Sequence, residues 1–393
     1  MGLNHSPKIV TDGLVFAYDM GNTNKSWKGA PTTNRVPNAT AFSGWTNYYR
    51  TLARTSFTTE FGTTGWRFTN QPSWSGILIG YSVPSTGTYT FSAYYKYLNS
   101  SASNNGGSVY VSGWGGNDVA ASVNKNLVGV WQRVQITLTL TNLSGTFYLI
   151  SFGGTDSGTT SPDYTSFEVT MPMIESGSFA TPFVDGTRST TNNLVDLTNR
   201  STITTNSLTY NSDNTFNLTP SSGGTVRIPL STALNKLEGS IDMWIYPQAY
   251  NGGNGLFVNR TGQTANALDW LWLGPYGDTF YFRLGDGVGC CNLDLTVSSW
   301  STRAPLNTWR HVCFTWKSAN TSAIYVNGEL VTSRSITAIP NTHPDTVGEI
   351  GNGHNNVDGS FNGKIPAVKI YDRQLTASEV LQNFNALRGR FGI

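Results

Sequence analysis

The stretch that decides the fold class lies at residues 77–95, where two apolar runs are separated by a short polar turn. It reads Ile77-Leu78-Ile79-Gly80-Tyr81-Ser82-Val83-Pro84, then Ser85-Thr86-Gly87, then Thr88-Tyr89-Thr90-Phe91-Ser92-Ala93-Tyr94-Tyr95. The last run alternates with a period of two, which is typical of a strand with one buried face, and Ser-Thr-Gly is turn chemistry. The segment therefore predicts a strand, a turn and a second strand.

Runs of the same kind recur along the chain, at 108–113, 132–140, 146–152 and 166–173. Short strands separated by turn signals are typical of β-sandwiches and barrels. The chain has 393 residues, of which 12% are charged, and its 12 Trp, 18 Tyr and 19 Phe supply ample core material. We therefore predict an all-β protein with two β-sandwich (jelly-roll) domains and one short C-terminal α-helix.

The predicted helix follows Thr376-Ala377-Ser378-Glu379. This is a capping-box sequence, in which a hydroxyl and a carboxylate three residues later satisfy the first backbone N–H groups of a helix. The helical spacing of the apolar residues that follow predicts one buried face, made of Val380, Leu381, Phe384 and Leu387.

Four segments in the second half of the chain share a family pattern. They read Gly239-Ser240-Ile241-Asp242-Met243-Trp244-Ile245-Tyr246-Pro247, Trp309-Arg310-His311-Val312, Ile324-Tyr325-Val326-Asn327-Gly328-Glu329 and Phe361–Tyr371. The Asn-Gly pair predicts a type I′ hairpin turn, which needs positive φ at both central residues. Together the segments resemble the concanavalin A-like, laminin G-like sandwich, and the resemblance implies that fold for residues 187–393.

The same resemblance implies that an N-terminal segment belongs to this sandwich. In relatives, a segment like 12–19 leads shortly to one like Asn193–Asn199, but here some 150 residues intervene. An inserted domain is tolerated where its two ends lie close together. We therefore expect residues 1–32 to pair with a sandwich formed by 187–393, and residues 33–186 to form an inserted domain.

The insert resembles a galactose-binding-like or carbohydrate-binding-module jelly roll. The matching segments are 38–45, 87–95, Trp131-Gln132-Arg133 and the closing string Met173-Ile174-Glu175-Ser176-Gly177-Ser178-Phe179-Ala180-Thr181-Pro182-Phe183. The closing string resembles one that recurs in bacteriophage virion proteins, and so does the pairing of such a module with a laminin G-like sandwich. The resemblance implies a structural protein of a virion.

Charge and hydropathy argue against two classes of partner. The formal net charge is +2 and no Lys/Arg run occurs, so nucleic acid is not an expected partner. No stretch of 18 apolar residues occurs, so we expect no membrane insertion. The segment 1–7 has no hydrophobic region, so we expect no signal peptide and synthesis in the host cytoplasm. Three cysteines, Cys290, Cys291 and Cys313, give no disulfide framework, and we expect buried thiols.

Catalytic motifs are missing from the sequence, so we predict a non-enzymatic protein with no cofactor. The chain has four His, and it has no H-E-x-x-H, Walker or G-x-S-x-G pattern. Concanavalin-like glucanases carry E-x-D-x-E on one strand. The nearest match, Glu238 to Trp244, lacks the second and third acids in register, which indicates that Asp242 is an exposed strand residue.

A structural calcium ion is the remaining option for a metal. Oxygen-rich loops occur at 343–345 and 355–358, with single acids at Asp269, Asp278 and Asp286. Calcium needs six to eight oxygen ligands, and no dense acidic cluster occurs. Ordinary Asn/Asp turns are the favoured interpretation, so no residue is assigned as a ligand.

Sugar binding is the more specific hypothesis, because proteins bind neutral glycans through aromatic ring faces together with polar groups. Trp74 lies among turn residues, and the small neighbours of Trp114 leave its ring either exposed or close to another backbone. Trp270 and Trp272 lie two residues apart on one strand, followed by Tyr276. The candidate carbohydrate-binding residues are therefore Trp74, Trp114, Trp270, Trp272 and Tyr276, whereas Trp131, Trp244 and Trp309 are predicted core residues.

The sequence thus favours a bacteriophage virion surface protein, either a head decoration or fibre subunit or a tail-associated subunit. Its expected partners are other virion proteins, further copies of itself as a homo-oligomer, and host-surface glycans. Two alternatives remain open. A bacterial carbohydrate-binding adhesin is disfavoured by the missing export signal, and a polysaccharide depolymerase by the scarcity of paired acids.

Overall fold

The chain forms two compact units in a computed structural model, Met1–Ala30 with Ser189–Ile393, and Pro31–Arg188. We call them the discontinuous unit and the inserted unit. The structure describes residues 8–49, 51, 54–72, 74–99, 107–115, 118–151, 165–213, 215–219, 224–229, 237–250, 255–260, 271–284, 293–336, 347–352 and 361–393.

The discontinuous unit begins with strand β1 and continues after the insertion with β14 to β27. Its strands are β1 (Leu14–Asp19), β14 (Thr204–Asn206), β15 (Thr209–Tyr210), β16 (Phe216–Asn217), β17 (Thr225–Pro229), β18 (Glu238–Ala249), β19 (Phe257–Arg260), β20 (Leu271–Tyr276), β21 (Thr279–Leu284), β22 (Leu293–Ser298), β23 (Arg310–Lys317), β24 (Thr321–Val326), β25 (Glu329–Ser335), β26 (Val347–Ile350) and β27 (Asn362–Tyr371).

Two antiparallel sheets pack face to face in this unit. One has the order β1-β27-β18-β23-β24-β25, and the other β14-β17-β26-β19-β20-β21-β22. Alternate residues of both sheets point into one core, which includes Met243, Phe282, Phe314 and Val368, all fully buried. This is the period-two burial expected of a sandwich.

The N-terminal strand is tied to the segment that follows the insertion. Asp196 is buried, and its carboxylate accepts hydrogen bonds from the backbone N–H of Ala17, at 3.0 Å, and from those of Thr198, Arg200 and Ser201. On its other side β1 pairs antiparallel with β27, from Leu14 opposite Tyr371 to Asp19 opposite Ala367. Residues far apart in sequence are thereby joined in one sheet.

The inserted unit is a second antiparallel sandwich. Its strands are β2 (Thr32–Thr33), β3 (Thr46–Tyr49), β4 (Arg54–Thr58), β5 (Thr64–Gln71), β6 (Ser75–Ser82), β7 (Gly87–Tyr97), β8 (Gly107–Ser112), β9 (Val119–Ser122), β10 (Trp131–Leu140), β11 (Ser144–Ser151), β12 (Thr165–Ser176) and β13 (Thr187–Arg188). The two five-stranded sheets have the orders β10-β7-β12-β5-β4 and β3-β6-β11-β8-β9.

The string that closes the insert contains a buried carboxylate that is hydrogen-bonded to its neighbours. The carboxylate of Glu175 accepts hydrogen bonds from the backbone N–H and the hydroxyl of Thr181, at 2.8 and 2.7 Å. The guanidinium of Arg188 donates to the same hydroxyl at 2.7 Å. Glu175, Thr181 and Arg188 are all buried. A buried carboxylate needs such partners, so these polar residues have a structural role here.

The C-terminal helix α2 (Ala377–Leu387) confirms the capping box, since the Thr376 side chain accepts from the N–H of Glu379 and the Glu379 side chain accepts from that of Thr376. Val380 and Phe384 are buried as predicted. The prediction for Leu381 is wrong, because this side chain lies at the rim of the helix face and is 44% exposed. Two further helical turns occur in the described residues, α1 (Trp300–Arg303) and a 3₁₀ turn at Arg388–Phe391.

The all-β prediction with a short C-terminal helix is confirmed by these elements. The type I′ turn is also confirmed, since Asn327 and Gly328 have φ of 51° and 82° and join β24 to β25. Trp244 is fully buried as predicted. The prediction that Trp131 is a core residue is wrong. Trp131 and Arg133 lie on the outer face of β10, whereas Val134 and Ile136 point into the core.

Candidate functional site

The outer face of the sheet β3-β6-β11-β8-β9 carries a cluster of aromatic rings. Alternation places them there, since Val109 and Val111 on β8 and Phe147 and Leu149 on β11 are buried in the core. The residues between them, Tyr110 and Tyr148, must therefore point to the opposite face. We call the cluster the tyrosine patch, and its members are Tyr48, Tyr49, Trp74, Tyr110 and Tyr148.

Tyr148 lies at the centre of the patch. It is directly opposite Tyr110 in the antiparallel register of β11 and β8, and the two ring centroids are 4.9 Å apart with planes inclined at 54°. The ring of Tyr48 meets Tyr148 edge to face at 5.1 Å and 75°. Such tilted contacts are favourable aromatic geometries, so the three rings hold one another in place.

A glycine makes room for one edge of the patch. Tyr48 lies opposite Gly76 of β6, where φ is 153°. A Cβ atom at Gly76 would lie 2.1 Å from the carbonyl oxygen of Leu149 on β11. Because only glycine fits this approach, the sequence Ser75-Gly76-Ile77 brings β6 close to β11 beneath the patch.

Two positive-φ residues extend the patch at its ends. Trp74 has φ of 63°, and its ring stands edge-on to Tyr110 at 6.4 Å. Tyr49 has φ of 34°, its ring lies 6.3 Å from that of Tyr48, and the residue is 75% exposed. Left-handed backbone at a non-glycine residue is uncommon and is worth a functional explanation.

Hydroxyl groups line the patch beside the rings. The hydroxyl of Tyr110 donates to the carboxylate of Asp118 at 2.5 Å, and the Ser112 hydroxyl donates to that of Tyr148 at 3.3 Å. Burial and the hydrogen bond to Asp118 raise the pKa of Tyr110 well above its ordinary value. Burial, with Tyr148 and Tyr49 nearby, also raises the pKa of Tyr48. These two phenols therefore remain hydrogen-bond donors at neutral pH.

The patch combines apolar ring faces with fixed hydroxyl and carboxylate groups. That pairing suits a ligand that has both C–H surfaces and hydroxyl groups, as a neutral sugar does. Of the candidates named from the sequence, Trp74 lies in this patch. Tyr48, Tyr49, Tyr110 and Tyr148 were not among them, although the V-Y-V and F-Y-L patterns of β8 and β11 place two of the rings outward.

Trp114 is not a surface platform. It is 2% exposed, and its ring lies 5.0 Å from that of Phe91 in the core. A Cβ atom at Gly145 would fall 2.3 Å from the Trp114 ring, so glycine at 145 makes space for the indole. Of the two alternatives for this ring, close approach to another backbone is the one observed, and Trp114 presents no exposed ring face.

Of the candidates in the discontinuous unit, the structure describes Trp272 and Tyr276. Trp272 is 7% exposed, with the Arg283 guanidinium 5.4 Å from its centroid and the Tyr281 ring at 5.8 Å. The Trp272 ring is thus covered by these two side chains. Tyr276 is 58% exposed, at the turn between β20 and β21. Trp270 lies outside the described residues.

A buried polar cluster occupies the other unit beneath helix α2. Asp242 accepts from Lys369 Nζ at 2.6 Å, from Asn383 Nδ2 at 3.1 Å, and lies 2.8 Å from His311 Nε2. The expectation that Asp242 is exposed is wrong, since it is fully buried. The reason is that the outer face of β18 is covered by α2. Burial raises the pKa of Asp242, but Lys369 and His311 outweigh it and hold it well below the usual range. The cluster joins strands of the sheet to helix α2, and all four of its side chains are buried away from solvent.

Metal and thiol candidates are largely outside the described ranges. The described residues contain no group of three or more His, Cys, Asp or Glu side chains that could hold a metal ion. Asp278 is exposed and accepts a hydrogen bond from the backbone N–H of Ser301 at 2.7 Å. Cys313 is a buried free thiol. The loops 343–345 and 355–358, Asp269, Asp286, Cys290 and Cys291 lie outside the described residues. No described helix is long and apolar enough to cross a membrane.

Residues 220–381 match the family model of the concanavalin A-like lectin/glucanases superfamily. The matched residues lie in the second part of the discontinuous unit. No curated protein sequence matches the chain significantly.

Solved structures of botulinum neurotoxin binding domains are similar to part of the chain. The neurotoxin DC domain in complex with rat synaptotagmin II is 17% identical with a TM-score of 0.40, covering 50% of this chain and 49% of that one. The serotype D domain is 20% identical with a TM-score of 0.39, covering 49% of each chain. The chain thus spans about half the length of the structures it matches.

Proposed function

We propose that this protein is a non-enzymatic, glycan-binding surface subunit of a bacteriophage virion. The tyrosine patch is the observation that carries the binding part of this proposal. It presents several aromatic rings on one sheet face, with hydroxyl groups fixed beside them, and four of its five members lie on strands of a packed sandwich. Rigid placement lowers the ordering cost of binding.

The chemistry of the patch favours a neutral glycan as the ligand. Its one described carboxylate, Asp118, already accepts a hydrogen bond from Tyr110, and a carboxylate repels an anionic sugar. The near-neutral net charge of +2 also gives little long-range attraction for anions. The match of residues 220–381 to the model of a superfamily that includes lectins supports a glycan as the ligand.

The virion part of the proposal is supported by the resemblance of the closing string and of the domain pairing to phage structural proteins. Compact sandwiches with low charge suit a protein exposed outside a cell. The proposed site on the particle is a head decoration, a fibre or a tail-associated position. Mass spectrometry of purified phage particles tests it, and absence of the chain from intact particles would reject the virion role.

Glycan-array binding tests the ligand. We expect the wild-type protein to retain neutral glycans without releasing product, and the double variant Tyr48→Ala/Tyr148→Ala to lose that binding. Tyr94→Ala is the matched control, because Tyr94 lies on β7 in the opposite sheet. Release of shorter saccharides would show an enzyme instead, and equal loss in the control would show a folding defect.

A further inference from the structure

The edges of the sheets are protected in all but one of the described cases. An open strand edge carries unpaired N–H and C=O groups, and proteins protect it by shortness, bulges, charges or cover. Strands β3, β9 and β14 have only three or four residues, and β4 has five. Strand β1 is covered, since Leu197 donates its N–H to the carbonyl of Ala17 at 2.7 Å.

The remaining edges of the discontinuous unit are protected by charge. Strand β25 carries Glu329 and Arg334, and its pairing with β24 shifts register between Ile324 and Tyr325. Strand β22 carries Asp294, whose backbone carbonyl accepts from the guanidinium of Arg334 at 3.2 Å. Each of these features discourages the addition of another strand.

Among the described residues, no strand pairs with the outer edge of β10, although the side chains of Thr137 and Arg133 donate to the carbonyls of Ser178 and Ala180. Strand β10 pairs with β7 over ten consecutive residues, Trp131 to Leu140, with no register shift, and it ends the sheet order. It contains no proline, and Arg133 is its single charged residue. The Arg133 guanidinium donates to Ser92 Oγ of its own sheet at 3.1 Å, so this charge is held over the neighbouring strand.

Apolar side chains are exposed where this edge begins. Leu127, Val128 and Val130 are 44%, 43% and 49% exposed, in the loop that leads into β10. Clustered exposed apolar residues beside an open edge are typical of an interaction surface.

We propose that two copies of this chain associate through β10, pairing antiparallel about a two-fold axis at Gln135. In this register Val134 of one copy faces Ile136 of the other on the core side. On the outer side the two Gln135 amides face each other and can hydrogen-bond. Arg133 faces Thr137, so no like charges are opposed. The apolar loop at 127–130 lies beside the end of the second copy's strand and is covered at both ends of the pair.

The strand composition favours a second copy as the occupant. An isologous interface must be self-complementary. Strand β10 satisfies this condition, because its alternation places apolar residues opposite apolar ones and polar residues opposite polar ones when two copies pair antiparallel about Gln135. The dimer joins two five-stranded sheets into one sheet of ten strands.

Sedimentation equilibrium of the full chain, with charge variants at Gln135, tests the proposal. We expect the wild type to approach twice the 42.7 kDa chain mass as concentration rises. Gln135→Lys and Gln135→Glu should each be monomeric, because like charges then meet at the axis, whereas their equimolar mixture should dimerise again. Thr69→Lys is the control, because Thr69 is an exposed residue of β5, three strands away from β10 in the same sheet. This variant should match the wild type.

Three outcomes would overturn the proposal. They are a wild type that stays monomeric at every concentration, an oligomer unaffected by Gln135→Lys, and single variants whose mixture stays monomeric although each is folded by circular dichroism. Glycan binding by monomeric variants is a separate readout, because the tyrosine patch lies on the other sheet of the same unit.

Discussion

Tyr48 lies directly opposite Gly76 across strands β3 and β6, at a point where β6 approaches β11 too closely for a Cβ atom. Gly76 has φ of 153°, and it approaches β11 more closely than any side chain would permit. The same sheet offers Gly80, four residues along β6, where an added Cβ would meet nothing within 4 Å.

The first prediction concerns these two glycines. Gly76→Ala should lower the free energy of unfolding by about 1–3 kcal/mol, through backbone strain and the contact with Leu149. Gly80→Ala should change it little. Urea unfolding of both variants measures the difference, and equal stabilities would contradict the close approach of β6 and β11.

A second prediction concerns the buried ion pair of the discontinuous unit. Asp242→Asn leaves Lys369 buried without a counter-charge and should cost about 3–5 kcal/mol. The matched control on the same strand is Glu238→Gln, whose partner Lys317 lies 2.9 Å away at the surface. That exposed pair should contribute about 0–1 kcal/mol. Similar losses in the two variants would show that the Asp242 pair is hydrated.

The third prediction is the pH dependence of the same pair. The folded-state pKa of Asp242 lies well below its ordinary value, so its stabilisation is complete above an unfolded-state pKa of about 4 and is lost as the pH falls below that. Wild-type stability should therefore fall on acidification through this range more steeply than that of Asp242→Asn. Parallel pH profiles would exclude Asp242 as a major source of acid sensitivity.

The fourth prediction concerns the capping box of α2. Arg373 and the Thr376 groups hold the pKa of Glu379 at about 2, so the cap remains ionised at neutral pH. Thr376→Ala should cost about 1 kcal/mol. Ser378→Ala, in the same helical turn, is the control and should cost less. An equal cost for both would contradict the special role of Thr376.

Local signals account for the parts of the fold that the sequence predicts well. The capping box, the Asn327-Gly328 turn and the alternating strands each depend on residues within a few positions of one another. The burial of Asp242 depends instead on Lys369 and Asn383, more than 100 residues away. The alternating pattern of β18 shows which face Asp242 takes, but not that a distant helix covers it.

The tyrosine patch was missed for a related reason. Tyr48, Tyr110 and Tyr148 come from β3, β8 and β11, which are not consecutive in the chain. Period-two alternation gives the face of each ring, but only the order β3-β6-β11-β8-β9 brings the rings together. Tryptophans in turn-rich segments include both Trp74, whose ring lies in the patch, and Trp114, whose ring packs in the core.

The affinity of the tyrosine patch for a neutral oligosaccharide selected on a glycan array is the most direct measurement of the central claim. Isothermal titration should show that Tyr148→Ala weakens binding at least about tenfold, or about 1.4 kcal/mol, while Tyr148→Phe, which keeps the ring, and Tyr94→Ala stay near the wild type. Unchanged affinity in folded Tyr148→Ala would contradict glycan binding at this face.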